Sequence, residues 1–215
     1  KKKINKKWYL GRYCTHHIKT NGGTTTKRND SKTFNLIMKK TAFFLLLFVS
    51  TICFSQENSK ATINASGDLV GITVKSDFDQ LPYSVWFKTN YDSYSLDAKT
   101  VKKLKKGFKN ITIKAFMATW CRDSKKAAPQ LIKLLEETGF DFTNLEMITV
   151  SRSKQTPDHL EKDFDLKTVP TILFYKDGKE IGRYLEYPRE TLEKDILKIV
   201  TGKKYQNSLD KSKQL

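Results

Sequence analysis

Cysteine and histidine are scarce, three of each in 215 residues. Cys14, His16 and His17 form one small cluster, but no second ligand group stands at metal spacing beside them, so a structural zinc site is disfavoured. Long hydrophobic runs are missing as well. The apolar stretch Ala42–Phe54 is short of the roughly 20 residues that a membrane span needs. No internal repeat is visible. Acidic residues are thin at the front: residues 1–37 hold ten Lys/Arg against Asp30 alone.

That imbalance bears on the net charge of +17, which taken whole would suggest nucleic acid or an anionic surface as partner. With Lys39 and Lys40, eleven of those charges precede residue 41, and the remaining +6 suits an ordinary soluble domain. Lys102, Lys103, Lys105 and Lys106 interleave with apolar positions as a solvated helix face, and no aromatics alternate with them as an RNA platform would require. No nucleic-acid partner is expected.

The first methionine is Met38. Lys39 and Lys40, the apolar run and small residues at Cys53 and Ser55 read as a secretory signal peptide over residues 38–55, cleaved before Gln56. Residues 1–37 then read as translated upstream sequence that is not native to the product. The competing reading is a basic arm that binds nucleic acid and carries the Cys14 cluster. A lipoprotein signal would instead lipidate Cys53, although Ile52 is large for the preceding position. The expectation is export to the periplasm of a Gram-negative bacterium, with the membrane met only through the signal segment. Cys121 is then the one thiol of the mature chain, a flag for a reactive group or an intermolecular partner.

Residues 56–94 read as a polar leader and an N-terminal extension, with a strand over Leu69–Val74 at a sheet edge. A helix from Asp77 is predicted, presenting Phe78, Leu81, Val85 and Trp86, with Pro82 in its first turn. Its aromatics, with Phe87, Tyr91 and Tyr94, either pack over the core or form a docking surface. Asp97 is placed to cap a short helix ending at Gly107. Ile111–Met117 and Leu145–Val150 read as strands, and Leu160–Phe164 as a short helix. His159 stands alone in a polar stretch and reads as surface. Asp177-Gly178 marks a hairpin turn, Pro188 opens a last helix, and residues 202–215 form a polar tail.

Between Met117 and a helical run carrying Ala127, Ala128, Leu131, Ile132, Leu134 and Leu135 stands Ala118-Thr119-Trp120-Cys121-Arg122-Asp123-Ser124. Cys121 therefore sits where a strand gives way to a helix. A helix N-terminus favours negative charge, so a thiolate is stabilised there. A lone cysteine is more often a buried packing residue, but the turn position among polar neighbours reverses that preference.

Trp120-Cys121-x-x-Ser124 after a buried strand resembles the active site of the thioredoxin superfamily, with serine for the second cysteine. Pro129, eight residues after the cysteine, matches the proline of that family's active-site helix, and Thr168-Val169-Pro170-Thr171 resembles its cis-proline segment. The likeness covers residues 95–201. It implies an α/β thioredoxin-like fold, a mixed central sheet flanked by helices on both faces. It also implies that Cys121 attacks disulfides, and that Trp120, Arg122, Asp123, Val169 and Pro170 meet the substrate. No cofactor or metal is expected.

Three departures limit the likeness. Ser124 cannot resolve a mixed disulfide; its hydroxyl can only donate a hydrogen bond to the Cys121 sulfur. The family's buried acid aligns with Ala115. Its glycine after the final strand aligns near Glu186, a possible modulator whose carboxylate would oppose the thiolate. A dithiol reductase is disfavoured by Ser124, and a thiol peroxidase by the lack of Thr and Pro in place before Cys121. Two functions survive: a monothiol thiol–disulfide exchange protein acting on exported proteins or small thiols and disulfides, and a thioredoxin-fold module that binds an exported protein without turnover.

Overall fold

The computed structural model describes residues 59–210. The signal peptide with Cys53, the Cys14 cluster and the end of the polar tail lie outside them. Strand β3, Ile111–Met117, lies at the centre of the sheet. Ile111, Ile113, Ala115 and Met117 face one core layer and Phe116 the other, as the two-residue period of a strand demands. Around it stand β1 (Thr62–Ile63), β2 (Leu69–Thr73), β4 (Leu145–Thr149), β5 (Thr171–Lys176) and β6 (Lys179–Leu185). The order is β1-β2-β4-β3-β5-β6, with β3 and β4 parallel and every other pair antiparallel. Ala115 pairs with Met147 on one side and Ile172 on the other. Asp177 and Gly178, at φ 50 and 76, make the two-residue turn between β5 and β6.

Four helices pack with the first core layer: α1 (Tyr83–Ser93), α2 (Ala98–Gly107), α3 (Arg122–Thr138) and α4 (Leu192–Val200). The Asp97 carboxylate accepts from the amides of Lys99 and Thr100, which fixes the start of α2. Gly139 ends α3 at φ 66, its amide donating to Glu136 and that of Phe140 to Leu135. Leu104, Leu131, Leu134, Leu135 and Ile196 are fully buried between helices and sheet. Truncating any of them to alanine would cost about 2–5 kcal/mol.

Several elements differ from the sequence expectation. Lys75–Phe78 forms a separate 3-10 turn, and α1 starts only at Tyr83, with Pro82 as its N-cap. The new phase buries Phe78, Tyr83 and Phe87 and leaves Leu81 and Val85 74% and 63% exposed. β2 is not an edge, since it pairs with β4 as well as with β1. Residues 59–94 thus add strands and a helix to the same core. The last helix begins at Leu192 instead of Pro188, because Asp195 Oδ2 accepts from the Arg189 amide and holds that segment as a loop.

The second layer differs most. Phe116, Ile148 and Leu173 are covered by Leu160, Phe164 and Leu166, but Leu160–Phe164 forms turns, not a helix. His159 and Asp165, at φ 53 and 47, bracket that stretch in the left-handed region and stop it from winding. Both faces are covered, then, one by helices and the other by an irregular strap. Lys114 reaches across it, 2.6 Å from Glu146 and 4.7 Å above the Phe164 ring.

Candidate active site

The end of β3 is held from three directions. The Val150 amide donates to Met117 O at 2.9 Å. Trp120 Nε1 donates to Val150 O at 3.1 Å, and Thr119 Oγ1 accepts from the buried Leu69 amide at 3.1 Å. The chain then turns, with Cys121 N bonded to Ala118 O, and α3 begins. Cys121 is the helix N-cap, at φ −85 and ψ 126, yet its side chain caps nothing. Its carbonyl accepts from Lys125 while its thiol remains free and half-buried.

The thiol points across the molecule. Cys121 Sγ donates to the carbonyl oxygen of Val169 at 3.3 Å. The Val169–Pro170 bond is cis. Thr171 Oγ1 donates to Thr168 O, and the Glu186 amide donates to Pro170 O at 2.8 Å. Glu186 also accepts the Thr168 hydroxyl at 2.6 Å through Oε1. Its backbone and carboxylate therefore bracket the segment that meets the thiol. Glu186 does so at φ 57, a conformation that favours glycine.

Ser124 does not play the part expected of it. Its side chain is 1% exposed and its Oγ has no hydrogen-bond partner, so it does not donate to the sulfur. The thiol is turned instead toward Val169, leaving Ser124 as an orphaned donor one helical turn away. Arg122 extends into solvent, 86% exposed, with Nε 3.8 Å from the Asp123 carboxylate. Pro129 lies inside α3 and Ala115 is fully buried. Among the described residues the buried carboxylates are Asp68, Glu161, Glu193 and Asp195, none of them on β3.

The strap over the second layer completes the surroundings, for Trp120 and Cys121 pack on the same cluster. Glu161 closes the strap by accepting the amide and hydroxyl of Thr156 through Oε2. Burial works to raise its carboxyl, but its own amide and the two Thr156 bonds outweigh that and hold it below 4.5. His159 lies at the surface, its Nδ1 3.7 Å from Glu161 Oε1.

Sequence patterns mark Trp120, Cys121, Ser124, Val169, Pro170 and Glu186, and the fold gathers them. The Thr119–Leu69 bond has no local signal, because its partners are 50 positions apart. Glu186 is marked as a carboxylate near the thiol, but its clasp on the Thr168 hydroxyl, 18 positions away, has no local signal either.

Residues 95–198 match the thioredoxin family. The thioredoxin of Listeria monocytogenes is 33% identical over 86 residues, 40% of this chain and 79% of that one. That of Gallus gallus is 31% identical over 98 residues, 46% of this chain and 88% of that one. A thioredoxin-like protein of Acanthamoeba polyphaga mimivirus is 27% identical over 89 residues, and the matched part spans 62% of its length.

Proposed function

The chain belongs to the thioredoxin family, and from that premise we propose that it is an exported thiol–disulfide exchange protein working through one thiol, Cys121. The observation that carries this reading is the Cys121 sulfur at the head of α3, facing the Val169 carbonyl, with a serine where a second thiol would close the cycle. In the first half-reaction Cys121 gives its proton to solvent base. The thiolate then attacks one sulfur of a substrate disulfide; a bond forms between Cys121 and that sulfur, and the other leaves as a thiolate. The helix N-terminus favours the attacking anion. In the second half-reaction an external thiolate attacks the substrate sulfur of the mixed disulfide and releases Cys121 as a thiolate. The substrate sulfur leaves bonded to the external thiol, so each cycle breaks one disulfide and forms another, one thiolate enters for each that leaves, and the protein ends as it began.

The orphaned Ser124 hydroxyl supports this reading, since with the thiol turned to Val169 a buried donor one helical turn from Cys121 is left without an acceptor. Substrates are exported proteins or small thiols and disulfides. Export to a periplasm rests on the signal-like pattern of Met38–Ser55. One contact favours the second reading, a binding module without turnover: the thiol as it stands is a proton donor to Val169, the posture of the unreactive form.

The deciding experiment incubates a model peptide disulfide with wild type, Cys121→Ala and Ser124→Cys, followed by non-reducing gels and a turnover assay. A persistent adduct in wild type, none in Cys121→Ala and new turnover in Ser124→Cys are expected. An inert wild type with no gain from Ser124→Cys would hand the site to the binding-module reading.

A further inference from the structure

Helix α1 lies outside residues 95–198, yet it runs alongside the active-site helix. Two ties fix its position. Tyr83 Oη donates to Gly67 O at 2.8 Å, just before Leu69, whose amide bonds Thr119. Asn90 Nδ2 donates to Lys125 O at 3.2 Å, and the Lys125 ammonium stands 6.0 Å from the Trp86 ring centre. Further along, Tyr91 and Tyr94 meet Lys133 and Glu136, so both helices point the same way. The start of α1 therefore lies at the Cys121 end of α3.

That end of α1 is apolar and uncovered. Val85 in the first turn of α1 and Leu81 just before the helix are 63% and 74% exposed, and Trp86, next to Val85 in the chain, is half-buried. Neither aliphatic side chain joins the core, which takes Phe78, Tyr83 and Phe87. The surrounding charge is mostly positive. Arg122 and Lys126 are exposed, and Lys125 lies over Trp86. The opposing acids are Asp79 and Asp123, since Asp68 is buried against Arg152.

We propose that Leu81, Val85 and the edge of Trp86 form a docking shelf for the protein whose disulfide or thiol meets Cys121. Its occupant is an acidic segment bearing an aliphatic or aromatic side chain close in sequence to the reacting cysteine. The apolar side chain covers Leu81 and Val85, while flanking carboxylates face Arg122, Lys125 and Lys126. The inference rests on the exchange reading for its reacting cysteine. The shelf itself is a binding surface that can be tested apart from the thiol.

The test uses Leu81→Ser/Val85→Ser, a pair of exposed positions whose replacement spares the core. Two probes are fluorescent peptides: one with leucine and three aspartates around a serine, the other identical but with cysteine in a disulfide. Anisotropy of the serine peptide reads docking alone. Its affinity is expected to fall about tenfold in the double variant, some 1.4 kcal/mol, to weaken with salt, and to be lost when lysines replace the aspartates. The adduct rate with the disulfide peptide should fall by a similar factor, while the rate with uncharged 2,2′-dithiodipyridine stays unchanged. Equal serine-peptide binding by wild type and variant, or equal binding of aspartate and lysine peptides, overturns the shelf. Binding of phosphatidylglycerol vesicles but not peptides, lost in the same variant, overturns it in favour of a membrane. If wild type reacts with neither disulfide, the exchange reading falls, and the serine-peptide result still decides the shelf.

Discussion

Cys121 and Val169 stand 48 positions apart in the chain, and the thiol of one donates to the carbonyl of the other. The bond gives the proton a partner while the cysteine is neutral and frees the carbonyl once the thiolate forms. An extended segment of substrate could then take that carbonyl with its own backbone N–H. The contact thus couples loss of the proton to the opening of an acceptor, on a segment that Glu186 and Thr171 hold in place.

The hydroxyl of Ser124 is buried without a partner, and leaving a donor in that state costs about 1–3 kcal/mol. Ser124→Ala should therefore raise stability by about 1 kcal/mol in urea unfolding while slowing adduct formation at Cys121. A loss of stability would mean that the hydroxyl is bonded in solution.

Thr119 offers the opposite case. Thr119→Val keeps the shape of the side chain and strands the buried Leu69 amide, so stability should fall by about 1–3 kcal/mol. Thr119→Ser, which keeps the acceptor, should lose less than half as much. A larger loss in Thr119→Ser than in Thr119→Val would show that the methyl, not the oxygen, matters.

Glu161 makes the strap sensitive to acid. Its folded carboxyl titrates below its ordinary 4.5, so its stabilisation is complete above that value and is lost as pH falls through the depressed one. Protection of residues 151–168 against hydrogen exchange, taken relative to the intrinsic rate of each amide at the same pH, should fall below about pH 4.5 in wild type. In Glu161→Gln that protection should be low already at pH 7 and should change little on acidification. A strap whose protection is flat with pH in wild type would contradict this.

Gly71 sits at φ 119, where a Cβ would stand 2.8 Å from Lys60 O. Gly71→Ala should cost at least about 2 kcal/mol from strained backbone and a backbone clash together. Amide exchange should show the loss first in the β1–β2 pairing. A neutral substitution would mean that the Lys60 backbone moves freely.

Much of the fold is legible in the sequence wherever one local pattern decides one element. Ile111–Met117 alternates and ends at polar residues, Asp97 has amides in reach three positions on, and Asp177-Gly178 admits few turns besides the one formed. The site is legible through Trp120, Cys121 and Val169–Pro170 for the same reason. The elements that escape a sequence reading depend on partners distant in the chain. Leu81 and Val85 fit a helical stripe, but the 3-10 turn at Lys75–Phe78 resets the phase so that Tyr83 and Phe87 bury instead. Leu160–Phe164 has helical composition, but His159 and Asp165 adopt left-handed backbone. Spacing places the Ser124 hydroxyl on the sulfur, because spacing alone cannot reveal that Val169 claims the thiol.

The placing of β2 between β1 and β4 has a practical consequence for anyone shortening the protein. A fragment limited to residues 95–198 would keep the whole family match and still lose the neighbour that covers one side of β4. The bared side of β4, flanked by Met147 and Ile148, would offer unpaired N–H and C=O groups to any other chain, an invitation to edge-to-edge aggregation. The same cut would deprive Thr119 of Leu69 two residues before the thiol. Insolubility of such a fragment would then say nothing about the fold of the intact chain, and a dull thiol in it nothing about the reactivity of Cys121.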